Sequence, residues 1–310
     1  MGIREIVEPV FLLSLPRSGS TLLQRVLASH HDVATTSEPW LLLPLIYSFR
    51  DKGIEAEYEQ HNLAHAMEDF CLQLPNGKND CLVEMRELVL NLYKKIGGDA
   101  AYFIDKTPRY HLIVDELMEM FPNCKIILLW RNPLAVAASM METWGKGKWN
   151  LYSFHVDLYK GLDNLVNVYE KHPEKILAVK FEDFVSDSES YSQELFEYLD
   201  LPVNASASAQ FSKIDLKGRM GDPTGVKQYK SINDESLNKW KKTLANPVRK
   251  IWARRYLKWL GEKRLAVMGY SKEELIRELN AEPYLFKNII SDVLRIVYNP
   301  LNRFLKRRKF

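Results

Sequence analysis

The sequence predicts an α/β fold in three layers: a parallel β-sheet, helices on both of its faces, and a helical extension at the C-terminus. Three observations carry this. Val10–Leu15 (VFLLSL), Lys125–Trp130 (KIILLW) and Ile176–Phe181 (ILAVKF) are short, almost wholly apolar runs, the pattern of strands covered on both sides. The first two run into a turn and then into a helical segment, so strand and helix alternate. With 46% hydrophobic residues and only 14 glycines and 14 prolines, the 310-residue chain can fill one core and has little material for a long linker. The expected organisation is one α/β domain over residues 1–282, with a helical insertion at about 53–97, and a basic amphipathic segment over 283–310.

Taken in order, the first strand is stopped by Pro16, and Arg17, Ser18 and Gly19 make a turn. From Ser20 onward Leu22, Leu23, Val26 and Leu27 recur at helical spacing, so the N–H groups of Gly19, Ser20 and Thr21 lack partners inside the helix and can seat an anion. The alternative is an ordinary turn in which Ser18 or Ser20 merely caps. The turn has neither the second glycine nor the lysine of the GxxxxGK[ST] nucleotide loop. Asp32–Thr36 reads as a short strand leading to Ser37-Glu38-Pro39 and a mostly apolar helix, where Glu38 is either a chemical group or a first-turn carboxylate with Ser37 as cap. Ala101–Ile104 is a further strand, ending in Asp105-Lys106-Thr107-Pro108-Arg109. At that end Lys106 points into a ligand crevice or lies on the surface. Arg131-Asn-Pro opens another helix, and Leu151–Tyr169 reads as one long helix.

Charge and cysteines narrow the class. Forty-three basic against 40 acidic residues are too balanced to make nucleic acid the main partner. Cys71, Cys81 and Cys124 are odd in number, lack metal-ligand spacing, and read as reduced thiols of a cytoplasmic protein. No leader and no apolar run of about 18 residues is seen, so a peripheral membrane contact would fall to the tail. There Phe286, Ile289, Ile290, Val293, Leu294 and Val297 share one helical face before Pro300, beside many basic residues. That segment can dock on the core, lie on a membrane surface or meet a partner.

Pro16–Thr21, PRSGST, resembles the 5′-phosphosulfate loop of the sulfotransferases, PRSGTT, and Arg131-Asn-Pro after Lys125–Trp130 is a second match about 110 residues on. The resemblance runs to the Golgi-type, tyrosylprotein and bacterial branch rather than the cytosolic one. It implies a P-loop kinase-like fold and transfer of the sulfuryl group of 3′-phosphoadenosine 5′-phosphosulfate (PAPS) to a hydroxyl, with adenosine 3′,5′-bisphosphate as product and no metal. It implies donor contacts from Arg17, Ser18, Gly19, Ser20 and Thr21, with Arg131 and Ser139, eight positions later, on the 3′-phosphate. Lys106, in a DKTP string, would contact the sulfuryl group. Glu38, twenty-one residues after Arg17, would be the general base, with Arg17 and Lys106 stabilising charge.

Cytosolic members use a KTH histidine as base, but Pro108 stands at that position here, which leaves His111, read as a helix-surface histidine, as the fallback. Lys239-Trp240 matches a closing pair whose lysine reaches a donor phosphate. Lys230 and Thr224 fall near further family positions, and Phe181 replaces a frequent tyrosine. The acceptor implied is a carbohydrate or glycolipid hydroxyl, with a peptide tyrosine or small alcohol or phenol second. A small-molecule kinase would need a Walker lysine and magnesium ligands. A catalytically idle lipid- or protein-binding module would leave Glu38 and Lys106 without a purpose.

Overall fold

The computed structural model describes residues 7–203, 210–218, 220 and 237–306, with side chains as far as Tyr298. Asn204–Ser206, Thr224, Gly225 and Lys230 lie outside the described residues. Strands β1 (Glu8–Ser14), β2 (Val33–Thr35), β3 (Tyr102–Asp105), β4 (Lys125–Trp130) and β5 (Ile176–Lys180) form one parallel sheet in the order β2-β3-β1-β4-β5. Because side chains alternate along a strand, β1 divides the core. Phe11 and Leu13 pack with Phe103, Ile126 and Leu128 on one face. Val10 and Leu12 pack with Ile104, Ile127 and Leu129 on the other, under Leu22, Leu23 and Val26 of the helix Ser20–Leu27. From β1 the chain goes to one side for β2 and β3 and to the other for β4 and β5. The crossovers therefore part above the carboxyl end of β1, which opens a crevice there.

Three local expectations are corrected. The helix expected straight after Ser37 begins only at Leu42 and ends at Tyr47, and Trp40 takes a left-handed φ of 55°. Glu38 is therefore not a first-turn carboxylate. The expected helix Leu151–Tyr169 is broken into a 3₁₀ turn at Leu151–Phe154, a π turn at Val156–Gly161 and an α-helix at Leu162–Lys171. The wide turn draws Asp157 inward and lets Gly161 approach His111, where a Cβ would lie 2.5 Å from the imidazole. His111 is thus 1% exposed rather than on a helix surface. The insertion folds as Gln60–Cys71 and Lys78–Gly97, with the Cys71 and Cys81 sulfurs 3.0 Å apart. Among the described residues no helix is long and apolar enough to cross a membrane.

Candidate active site

At the end of β1 the turn is held by two left-handed residues, Arg17 at φ 72° and Gly19 at φ 94°. The cap position of the helix Ser20–Leu27 falls on Gly19, which has no side chain to offer, while the Gly19 carbonyl accepts from Leu22 and Leu23. Ser18 and Ser20 do not cap it, so this helix end keeps the partial positive charge of its first amides. Phe181 packs so closely over Gly19 that a Cβ there would sit 2.2 Å from the ring. The same ring carries the Arg131 guanidinium 4.4 Å from its centroid, and Arg131 Nη1 donates to the Arg17 carbonyl at 2.8 Å. Arg17 Nε in turn donates to Ser139 Oγ at 3.2 Å. The two separated motifs therefore meet through Arg17, and Phe181, where a tyrosine was expected, is the platform that shapes both.

Gly19→Ala should destabilise the chain by about 1 to 3 kcal/mol, since it combines a left-handed Cβ with overpacking. Denaturant melts check this. Adding Phe181→Leu should recover the steric part.

Across the crevice Lys106, 1% exposed, leaves β3 and donates from Nζ to Glu38 Oε1 at 2.7 Å; Trp40 Nε1 donates to Glu38 Oε2 at 3.1 Å. Both carboxylate oxygens are thus oriented. What holds this segment is Asp105, fully buried, which accepts from Tyr93 at 2.6 Å, Tyr110 at 2.9 Å and Thr107 at 2.9 Å. Thr107 Oγ1 and Tyr110 OH then accept the backbone N–H groups of Trp40 and Leu42, each at 3.2 Å. These bonds, absent from a regular helix start, hold Trp40 in left-handed geometry ahead of the helix and present Glu38 to Lys106.

Burial pushes the Asp105 carboxyl up to about 6, against the lowering effect of its three hydroxyl donors and Lys106. The folded chain thus favours the protonated form. That stability is fully present below the ordinary carboxylate pKa and is lost as pH rises through about 6. The stability of the natural chain relative to Asp105→Asn should therefore fall, on the order of 3 kcal/mol, between pH 4 and 7 in urea melts.

A cavity of 240 Å³ joins these groups: Gly19, Ser20, Thr21 and Arg17 on one side, Glu38, Trp40 and Lys106 on the other, Arg109 and Trp144 at its rim. Trp144 stacks on Phe154 at 4.6 Å, so a stacked aromatic pair lines the cavity together with Glu38. Arg109 is oriented by Asp157, which also receives His111 Nε2 at 2.9 Å. His111 does not line the cavity, which removes the fallback base from the reacting space. Larger clefts of 800 and 600 Å³ lie beyond Tyr47 and beside Leu112, away from the loop and from Lys106. Charge and helix-end geometry, rather than volume, single out the smaller one. Lys239 is exposed at the start of the helix Lys239–Leu244, which packs on the Ser139 helix Pro133–Gly145; it is not in the cavity wall. His30, His31 and Asp32 approach within 4.8 Å of one another in the turn before β2, but His30 Nδ1 already accepts the Asp32 amide.

Asp105, Arg109 and Asp157 line or support the cavity without having been singled out by pattern. Asp105 and Arg109 had a signal, the charged DKTPR string closing a strand, and Trp40 opens the apolar run Trp40–Phe49, which reads as core or as the wall of an acceptor pocket.

The carboxyl end of β1, an uncapped helix start and the cations Arg17 and Lys106 give this crevice an electrostatic environment that suits an anion, with the Glu38 carboxylate in the same cavity wall. Comparison with known proteins gives the family and the fold. Nodulation protein NoeE of Sinorhizobium fredii is 35% identical over 137 residues, covering 44% of this chain and 31% of that protein. Protein-tyrosine sulfotransferase 1 of Danio rerio is 25% identical over 248 residues, 74% of this chain and 65% of that one. The chain thus spans less than two thirds of either relative's length. In fold it is similar to the sulfotransferase domain from the curacin biosynthetic pathway, with a TM-score of 0.57, 21% identity and coverage of 86% of this chain and 99% of that domain. The domain from the Synechococcus PCC 7002 olefin synthase gives 0.55 at 23% identity, over 77% and 90%. The sulfotransferase family pattern matches residues 9–205, from the start of β1 past β5, and the chain belongs to the sulfotransferase family.

Proposed function

We propose that the protein moves the sulfuryl group of PAPS to an acceptor hydroxyl, with Glu38 as general base. The observation that carries this is the Lys106–Glu38 pair at 2.7 Å in the cavity wall opposite Gly19–Thr21. The left-handed Gly19, the uncapped first amides and the Arg17 guanidinium fit a phosphosulfate. Ser139 and Arg131, both bonded to Arg17, fit the 3′-phosphate beside it.

The donor supplies the sulfuryl group and departs as adenosine 3′,5′-bisphosphate. Glu38 takes the acceptor proton at a carboxylate oxygen. Trp40 Nε1 keeps the other oxygen oriented, so the lone pair used is fixed before the acceptor arrives. Lys106 and the amides of Gly19, Ser20 and Thr21 stabilise charge on the transferred group and on the departing phosphate. Trp40, Trp144 and Phe154 line the cavity and offer apolar ring surface to the acceptor.

Those ring faces support a carbohydrate or glycolipid acceptor. The match to protein-tyrosine sulfotransferases supports a peptide tyrosine as the second reading. Incubation with PAPS and a panel of oligosaccharides, glycolipids and tyrosine peptides, read by mass spectrometry, should show a gain of one sulfuryl group on a sugar hydroxyl. A gain confined to tyrosine peptides would transfer the assignment to the second reading, and no gain on any member would contradict the first.

A further inference from the structure

The C-terminal helix Ile289–Lys306 is docked through one narrow side and leaves a wider one uncovered. The docked side carries Ile296, packed against the core, and a buried acid. Asp292, 0% exposed, accepts from Arg249 Nε at 2.7 Å, Trp149 N at 3.0 Å and Asn246 Nδ2 at 3.2 Å. Its outward side is apolar: Ile290, Val293, Leu294 and Val297, with Phe286 just before them, recur at helical spacing and are 44 to 78% exposed. An exposed apolar stripe of this kind marks an interaction surface for a protein or a membrane.

In sequence the segment is basic: Lys287, Arg295, Arg303, Lys306, Arg307, Arg308 and Lys309 stand against a single acid, Asp292, already paired with Arg249. A second copy laid on this stripe would bring like charges together, whereas an anionic bilayer supplies both an apolar interior and opposite charge. We propose that the helix Ile289–Lys306 lies on an anionic lipid surface, held to the core by Asp292 and buried in the lipid by Phe286, Ile290, Leu294 and Val297.

The docked side also meets the connection between two residues of the active-site wall. Asn288 Nδ2 donates to the Gly147 carbonyl at 2.9 Å, and Asp292 holds the Trp149 amide. Residues 147–149 join Trp144 to Phe154, the stacked pair of the cavity wall. Through this connection lipid binding would hold the active site near a bilayer that presents a glycolipid hydroxyl. That last step rests on the proposed function, while the binding itself does not.

The test is flotation of the full chain, without donor, on vesicles of phosphatidylcholine alone and with phosphatidylglycerol. The intact protein should float with the anionic vesicles and less so as salt rises. Ile290→Glu with Leu294→Glu, at positions 78% and 63% exposed, should lower partitioning by about tenfold or more without changing circular dichroism or adenosine 3′,5′-bisphosphate affinity. Absence of flotation, or flotation of the variant equal to that of the intact chain, would overturn the proposal. So would a dimer in sedimentation that the same variant splits in the absence of lipid, since the stripe would then belong to a second copy.

Discussion

Glu38→Gln should lower kcat by about 10²- to 10⁴-fold, the usual range for losing a general base. The amide keeps the shape of the carboxylate and can still accept from Trp40 Nε1, but it cannot take the acceptor proton. Lys106 loses its counter-ion in the free protein, and the negative donor replaces that charge on binding. Adenosine 3′,5′-bisphosphate affinity should therefore be kept or slightly raised. Single-turnover kinetics with the donor saturated isolates the chemical step. A variant that folds, binds the bisphosphate and retains most of its turnover would remove Glu38 from the reaction.

Lys106→Met should damage both turnover and stability, and the two effects can be separated. Removing a preorganised cation facing developing charge costs about 10²- to 10³-fold in kcat. Removing one partner of a buried pair leaves the other uncompensated, which costs about 3 to 5 kcal/mol. Lys106 and Glu38 are such a pair, with side chains 2% and 10% exposed. Combining Lys106→Met with Glu38→Gln should return much of the stability, because no charge is left buried alone, while activity stays lost. If the double variant is no more stable than Lys106→Met, the stability loss has another origin. If Lys106→Met keeps its turnover, the lysine is structural only.

The sheet was legible because β1 and β4 are buried on both faces, and a doubly buried strand writes itself as a continuous apolar run; the edge strand β5 is partly covered and still reads as apolar. Glu38 and Lys106 were legible as residue types at fixed offsets from the loop and from a strand end. What brings them together was not. Asp105 gathers Tyr93, Thr107 and Tyr110 from separate elements and through them fixes the Trp40 and Leu42 amides, contacts with no local period. Pro39 after Ser37 spelled a helix start, and that tertiary network overrode it. The π turn escaped notice for the same reason, since Asp157 and Gly161 answer to Arg109 and His111 rather than to their neighbours in sequence. In the tail, amphipathic spacing was visible, but only the buried Asp292 shows which side faces the protein.

Calorimetric titration of the full chain with adenosine 3′,5′-bisphosphate in magnesium-free, chelated buffer is the most direct measurement, run beside Arg131→Ala and beside ATP with magnesium. The bisphosphate should bind in a 1:1 complex. Arg131→Ala, which loses a charged contact, should weaken it by about 1.5 to 3 kcal/mol, roughly 10- to 150-fold, while the variant melts as a folded protein. ATP with magnesium should bind far more weakly. Binding of ATP with magnesium in preference to the bisphosphate, or an unchanged bisphosphate affinity in the folded Arg131→Ala variant, would contradict the assignment of the donor to this site.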